Sequence, residues 1–322
     1  MAALRQDRVL VTGASGFIGR ALIGRLAADG IAVAGLCRSD VSLGAAEMLS
    51  VDLSDPRATV EAVRAYAPTL CYHLAAHPDG AESHERSLAI LQTNVMGTLN
   101  LLEGLRQAGG CRIVYGCSVK VYGNGPVPYR PDQAPTPNSS YAVAKAAGRE
   151  MIELFRCLYG LPSMSLRPTL VYGPGQGFNL FRFVAQKLAE GAKDIQLMGG
   201  SQTRAPVYID DVVEAFLLAG AALDGGNEID GKAIPLGGPD ELSILDIVQQ
   251  MAVVAGRTLT PVLTEQATRP TEIYRCIADN DVALDLLGWR PSVSLEEGLR
   301  RTLKAEGVAV PDRTRSRAAL HA

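Results

Sequence analysis

The most constraining stretch lies near the amino terminus. Val9-Leu10-Val11-Thr12 runs directly into Gly13-x-x-Gly16-x-x-Gly19, and residues 17–28 follow with helical spacing. A short apolar run, a glycine turn and an amphipathic stretch predict a strand–turn–helix unit. The theme then repeats. Strand-like runs at 31–36, 48–51, 70–74, 112–115 and 164–171 are separated by helical patterns at 57–66, 88–107 and 139–158. Strands alternating with helices predict an α/β fold, a doubly wound parallel sheet (Rossmann) covered on both faces.

The pattern changes after Tyr172-Gly173-Pro174-Gly175. Helices are expected at 180–190, 210–222, 242–255 and 295–303, and 233–236 can return a strand to the sheet. The expected organisation is a dinucleotide-binding domain over 1–175, with returning segments near 205–238. A smaller C-terminal α/β substrate lobe is expected from 176–204 and 239–310. The tail 311–322, with Arg313, Arg315 and Arg317, reads as an untethered terminus.

Composition excludes several classes. A formal net charge of -3 gives no electrostatic case for nucleic acid or an anionic membrane. No apolar run approaches the roughly 18–20 residues that span a bilayer. The first residues hold no hydrophobic signal core, so a cytoplasmic protein is expected. The 6 cysteines form no C-x-x-C pair, and most sit in apolar runs such as Phe155-Arg156-Cys157-Leu158. They read as buried thiols of a reducing compartment. The 4 histidines lack ligand spacing, so no metal site is expected; His77 and His84 read as structural.

The glycine turn at the first β–α junction suits a dinucleotide. Gly13 can take backbone angles closed to other residues, Gly16 lets a pyrophosphate approach, and Gly19 lets the helix pack close to the strand. The helix start brings free N–H groups and a partial positive charge. Gly13, Ser15, Gly16, Phe17, Ile18 and Gly19 are therefore the candidate cradle. After the second strand, where NAD-binding chains place an acid, the sequence reads Leu36-Cys37-Arg38-Ser39. A guanidinium there suits a 2′-phosphate, so NADP(H) is favoured over NAD(H). Asp52, ending the third strand, is a candidate for the adenine amino group, with Leu53 beside it.

Tyr141 and Lys145 fall on one face of the helix expected at 139–158. A phenolate is disfavoured at pH 7 by about 4 kcal/mol, since tyrosine titrates near 10. A neighbouring ammonium and a cationic nicotinamide would stabilise it. Tyr141 could then exchange a hydroxyl proton while the cofactor exchanges hydride. The pattern Y-x-x-x-K is common on helix surfaces; its position after the fifth strand makes it informative.

From about residue 8 to 304 the chain resembles the extended short-chain dehydrogenase/reductase family, in its NAD(P)-dependent nucleotide-sugar epimerase, dehydratase and reductase branch. The resemblance rests on Thr12-Gly13-x-x-Gly16-x-x-Gly19, Asp52-Leu53, His73-Leu74-Ala75-Ala76 and Asn94-Val95-x-Gly97-Thr98. It continues through Ser118-x-x-Val121-Tyr122-Gly123, Tyr141-x-x-x-Lys145 and Arg167-Pro168-x-x-x-Tyr172-Gly173-Pro174-Gly175. It implies that Ser118 joins Tyr141 and Lys145 as a catalytic residue; on its own, Ser118 reads as a strand-end hydroxyl. It also implies that Leu74, Ala75 and Ala76 line the cofactor, with Asn94 in support. Asn179, Arg204 and Arg269 match positions that contact the nucleotide diphosphate. One departure matters: dehydratases of this branch carry Thr-Asp-Glu where this chain has Ser118-Val119-Lys120, so 4,6-dehydration is disfavoured. Lys120 reads either as a sugar-contacting cation or as a solvent-facing side chain.

The leading expectation is a nucleotide-sugar 4-epimerase working through a transient 4-keto sugar. The alternative is an NADPH-dependent 4-keto-sugar reductase, and a less favoured one is a dinucleotide-binding sensor without catalysis. The resemblance also implies a homodimer through the helices at 88–107 and 139–158.

Overall fold

The computed structural model describes residues 4, 6–44, 46–78, 80–223, 229–264 and 269–311. The apolar runs of the first half become β1 (Val9–Thr12), β2 (Val33–Cys37), β3 (Glu47–Ser50), β4 (Leu70–His73), β5 (Arg112–Gly116) and β6 (Ser163–Pro168). Between them lie α1 (Phe17–Ala28), α2 (Pro56–Tyr66), α3 (His84–Leu91), α4 (Gly97–Gln107) and α5 (Ser140–Tyr159). The later strands are β7 (Val171–Tyr172), β8 (Asp194–Met198), β9 (Thr203–Arg204), β10 (Val207–Tyr208), β11 (Ala233–Leu236), β12 (Leu242–Ser243), β13 (Thr260–Thr264) and β14 (Arg275–Cys276). The later helices are α6 (Leu180–Ala189), α7 (Ile209–Ala222), α8 (Ile244–Val254), α9 (Asp281–Leu287) and α10 (Leu295–Ala305).

Seven parallel strands form the main sheet, in the order β11-β6-β5-β4-β1-β2-β3. The expected doubly wound sheet is therefore present, and 233–236 does return to its edge. One buried cluster joins Leu22 and Ile23 of α1 to Val212 and Phe216 of α7. A second joins Val63 of α2, Leu101 and Leu105 of α4, and Ile152 of α5. With both faces covered, β1 and β4 are buried at every position and lack polar alternation. The chain order reverses between β1 and β4, which opens a crevice beyond their carboxyl ends.

The remaining strands form smaller sheets: β12-β9-β14, β13-β8 and β10-β7. Asp211 of α7, itself buried, ties the carboxy-terminal segment to this frame. Its carboxylate accepts the Ser292 N–H at 2.9 Å and hydroxyl at 2.7 Å, while Trp289 donates its indole N–H to the Asp211 carbonyl at 2.8 Å. No helix among the described residues is long and apolar enough to cross a membrane.

Several expectations are corrected. The run 164–171 is two strands: Pro168 ends β6, and Thr169 turns away, its hydroxyl donating to the Ala205 carbonyl at 2.5 Å. The helix expected from 88 begins at His84, because Ser83 caps it by accepting the Arg86 N–H. It is then interrupted by a π turn at Gln92–Met96. The helix expected from 242 begins at Ile244, behind a capping box of Ser243 and Asp246. Cys157, expected to be buried, is exposed on α5; the other five cysteines are buried. Residues 312–322, with Arg313, Arg315 and Arg317, lie outside the described residues.

Candidate active site

The crevice between β1 and β4 has the dimensions of a backbone cradle. Gly13 has φ +67, and a Cβ there would meet the Ala75 nitrogen at 2.7 Å. A Cβ on Gly19 would lie 2.3 Å from the Gly13 carbonyl oxygen. Helix α1 starts behind Gly16 with no side-chain cap, leaving its first-turn N–H groups for an anion. Gly13, Ser15, Gly16, Arg38, Asp52, Leu53, Leu74, Ala75 and Ala76 line one cleft there, joined by Leu36, Cys37, Val51, His77 and Thr93. These residues fit a dinucleotide: glycines where a side chain would fill the space, and an uncapped helix end for the phosphates. Phe17 and Ile18 are partly buried and pack against the core. Arg38 is exposed at the cleft, and Asp52 accepts from the Ser54 N–H at 2.9 Å and hydroxyl at 2.8 Å.

Behind the cleft runs a directed chain of hydrogen bonds. The Ala75 N–H donates to Thr12 Oγ1 at 3.2 Å, and Thr12 Oγ1 meets His73 Nδ1 at 2.7 Å. His73 Nε2 meets Thr98 Oγ1 at 2.8 Å, and that hydroxyl donates to the Asn94 carbonyl at 2.7 Å. Thr98 has therefore spent its hydrogen, so His73 donates from Nε2 and accepts at Nδ1. Burial, then the nearby Lys145 charge, push His73 down to about 3, so the ring is neutral. Asn94, in the π turn, accepts the His77 N–H at 2.6 Å and donates to the His77 carbonyl at 3.2 Å. Its side chain thus fixes the loop after β4. The cleft role of His77 and Thr93 was not anticipated; the neighbouring Asn94 motif was the available signal. His84 is exposed at the start of α3.

Ser118, Tyr141 and Lys145 come from adjoining elements. Ser118 follows β5 in extended backbone and caps a short three-ten turn, Val119–Tyr122, by accepting the Lys120 N–H at 3.2 Å. Ser139 caps α5 by accepting the Ala142 N–H, which fixes the first turn carrying Tyr141. One turn on, Lys145 is 2% exposed and donates from Nζ to the Gly116 carbonyl at 2.7 Å. Its Nζ lies 4.8 Å from the centre of the Tyr115 ring and 6.0 Å from that of Tyr141. Burial lowers Lys145 to about 8. A poised ammonium on the same helix face as Tyr141 is the arrangement that supports proton exchange by a phenol.

The three diphosphate candidates are used differently. Asn179 caps α6, accepting the Arg182 N–H at 3.1 Å and donating to Gln176 Oε1 at 2.8 Å. The Arg204 guanidinium is committed to the chain, donating to the carbonyls of Thr203 and Ile273 and to Glu272 Oε1 at 2.8 Å. Arg269 is exposed, and its carbonyl accepts the Glu272 N–H, so both arginines meet through Glu272. Arg204 carries Glu272 as its own counter-ion, whereas the Arg269 side chain is exposed.

Fold and cleft define a Rossmann-type dinucleotide-binding protein with a serine, tyrosine and lysine at the neighbouring strand and helix ends. Residues 9–233 match the model of the NAD dependent epimerase/dehydratase family, and the chain belongs to that family. It is 34% identical over 314 residues to UDP-glucose 4-epimerase of Mycolicibacterium smegmatis, covering 92% of this chain and 97% of that protein. It is 30% identical over 272 residues to dTDP-4-dehydro-6-deoxy-D-allose reductase of a Streptomyces species, covering 77% and 81%. The structure of Bacillus cereus UDP-glucuronic acid 4-epimerase with UDP-glucuronic acid and NAD superposes with a TM-score of 0.84 at 26% identity, covering 93% and 98%. These matches bear out the resemblance to the extended short-chain dehydrogenases/reductases.

Proposed function

We propose that the chain is a nucleotide-sugar 4-epimerase in which Ser118, Tyr141 and Lys145 act on the sugar C4 hydroxyl. The observation that carries this reading is the buried Lys145 ammonium, held on Gly116 and sharing a helix face with Tyr141 beside a dinucleotide cleft. Near-full-length similarity to a UDP-glucose 4-epimerase supports the substrate class. The bound cofactor supplies the hydride acceptor and donor. Tyr141 takes and returns the hydroxyl proton, Lys145 stabilises its phenolate, and Ser118 holds the reacting oxygen. Arg269 is the exposed cation for the diphosphate, with Asn179 and Arg204 shaping the same lobe. Incubating the purified protein with UDP-glucose and UDP-glucuronate, and following the 4-epimers by proton NMR, tests the reading. Tyr141→Phe should abolish conversion and keep cofactor binding; activity that survives it would point to a different proton carrier.

The reductase reading keeps one specific support, Arg38. Its exposed guanidinium at the cleft, with no acid at the end of β2, suits NADP(H) over NAD(H). Stoichiometric NADPH consumption with a 4-keto sugar nucleotide would select this alternative. A homodimer is supported by exposed Leu88 and Leu91 on α3 and Val143, Leu154 and Leu158 on α5. The division into a cofactor domain at 1–175 with 205–238, and a substrate lobe at 176–204 and 239–310, is supported by β11 joining the main sheet. Buried thiols suit the cytoplasm.

A further inference from the structure

The Lys145 ammonium is buried without a carboxylate. Among the described residues no acid pairs with it, and its hydrogen bond goes to the neutral Gly116 oxygen. The groups that face it come from three elements: Tyr141 of α5, Tyr115 of β5 with Cys117 just after it, and His73 of β4. Tyr115 presents the nearer ring, with Nζ over it at 4.8 Å from the centre against 6.0 Å for Tyr141.

The Tyr115 ring is itself held in place. It is 1% exposed, and His73 stacks on it with centroids 5.4 Å apart and planes 27° apart. Its hydroxyl reaches α5, donating to the Lys145 carbonyl at 3.4 Å. Gly148, one turn further on, leaves the notch it needs: a Cβ there would lie 2.7 Å from that hydroxyl oxygen. Burial pushes the Tyr115 phenol up and the His73 imidazole down, so both rings are neutral. The attraction between Tyr115 and the ammonium is therefore that of a cation for an aromatic face, which strengthens where water is excluded.

We infer that Tyr115 is a positioning residue for Lys145, its ring face keeping the buried ammonium charged and on the Tyr141 side of α5; this rests on the proton exchange proposed above. A carboxylate in the same place would pair with the ammonium and cancel the positive field that a Tyr141 phenolate needs. An aliphatic side chain would fill the space and leave the charge without a partner on that side. An aromatic face avoids both.

Replacing Tyr115 by rings of equal shape and falling electron density tests the assignment. Tyr115→Phe keeps the face and removes the hydroxyl, while 4-fluoro- and 3,4,5-trifluorophenylalanine at the same position weaken the face stepwise. The Lys145 titration is read by carbon-13 NMR of cofactor-loaded protein labelled at lysine Cε, with Lys145→Met giving the assignment. Tyr115→Phe should titrate within about 0.3 pH unit of the wild type, and the trifluoro variant at least about 0.5 pH unit below Tyr115→Phe. The singly fluorinated ring should fall between them. The alkaline limb of turnover should move down in the same order, because the phenolate loses its cation at a lower pH. Equal titration across the fluorinated series would overturn the assignment, as would a drop already complete in Tyr115→Phe, which would give the role to the hydroxyl. The NMR arm needs no sugar. A wild type that converts no nucleotide sugar would overturn the epimerase reading, and the order of the Lys145 titrations would still decide for or against Tyr115.

Discussion

Lys145 donates its ammonium hydrogen to the carbonyl oxygen of Gly116 at 2.7 Å, joining the face of α5 that carries Tyr141 to the end of the strand that leads to Ser118. This bond holds a charge that burial alone would expel, and its consequences are measurable.

Burial lowers Lys145 from its ordinary value of 10.5 to about 8. Between these values the unfolded chain binds a proton that the folded chain does not. Stability should therefore rise with pH from about 8 to about 10.5, and the full cost of the buried charge is present below 8. At 1.36 kcal/mol per unit, the contribution is on the order of 3 kcal/mol. Urea unfolding across this range should show the rise in the wild type and lose it in Lys145→Met. The same variant should lower turnover by roughly 10²–10⁴.

His73 has the same sign at acidic pH. Its folded value is about 3 against an ordinary 6.5, so the unfolded chain binds the extra proton as pH falls through that window. The stability lost is about 1.4 kcal/mol per pH unit. His73→Gln should be less stable at pH 7, because the Thr12 and Thr98 bonds are disturbed, and should fall less steeply toward pH 5. Parallel stability curves for the two proteins would remove the proposed neutral histidine.

Two glycines in α1 should respond oppositely to alanine. A Cβ on Gly19 would lie 2.3 Å from the Gly13 oxygen, whereas nothing lies within 4 Å of one on Gly24. Gly19→Ala should weaken cofactor binding at least tenfold and lower the melting temperature. Gly24→Ala should stabilise the helix by about 0.5–1 kcal/mol and leave the cofactor affinity as it was. Thermal melts and cofactor fluorescence titrations check both.

Arg38→Ala should reduce the ratio of NADP(H) to NAD(H) affinity at least tenfold, since the 2′-phosphate loses its guanidinium. Competitive titration with the two cofactors measures the ratio directly. An unchanged ratio would leave the adenosine end to other groups.

Much of this molecule was legible before folding because its signals are local. The strand, turn and helix at Val9–Thr12 and Phe17–Ala28 are found where apolar run and periodicity put them, and α5 begins one residue from its expected start. The errors arise where the tertiary context decides. The break after Pro168 depends on Ala205, far along the chain, accepting the Thr169 hydroxyl. Cys157 lies in an apolar run, but its position on α5 turns it to solvent. β8 and β13 are five-residue strands that pair only with each other; β8 alternates buried and exposed positions over just those five residues, and β13 is mostly exposed. In the site, the glycine turn and the Tyr141–Lys145 spacing were visible as motifs. The commitment of Arg204 to Glu272 was not, because residue type reveals a charge and only the fold reveals its partner.

The central claim is that this chain oxidises and re-reduces one sugar carbon within a single turnover. The most direct test is incubation with a nucleotide sugar bearing deuterium at C4, with the product read by mass spectrometry and NMR and the reduced-nicotinamide absorbance followed throughout. The account predicts the C4 epimer with deuterium retained at C4 and no net change in reduced cofactor. Loss of the label to solvent, or one reduced cofactor consumed for each product formed, would contradict it.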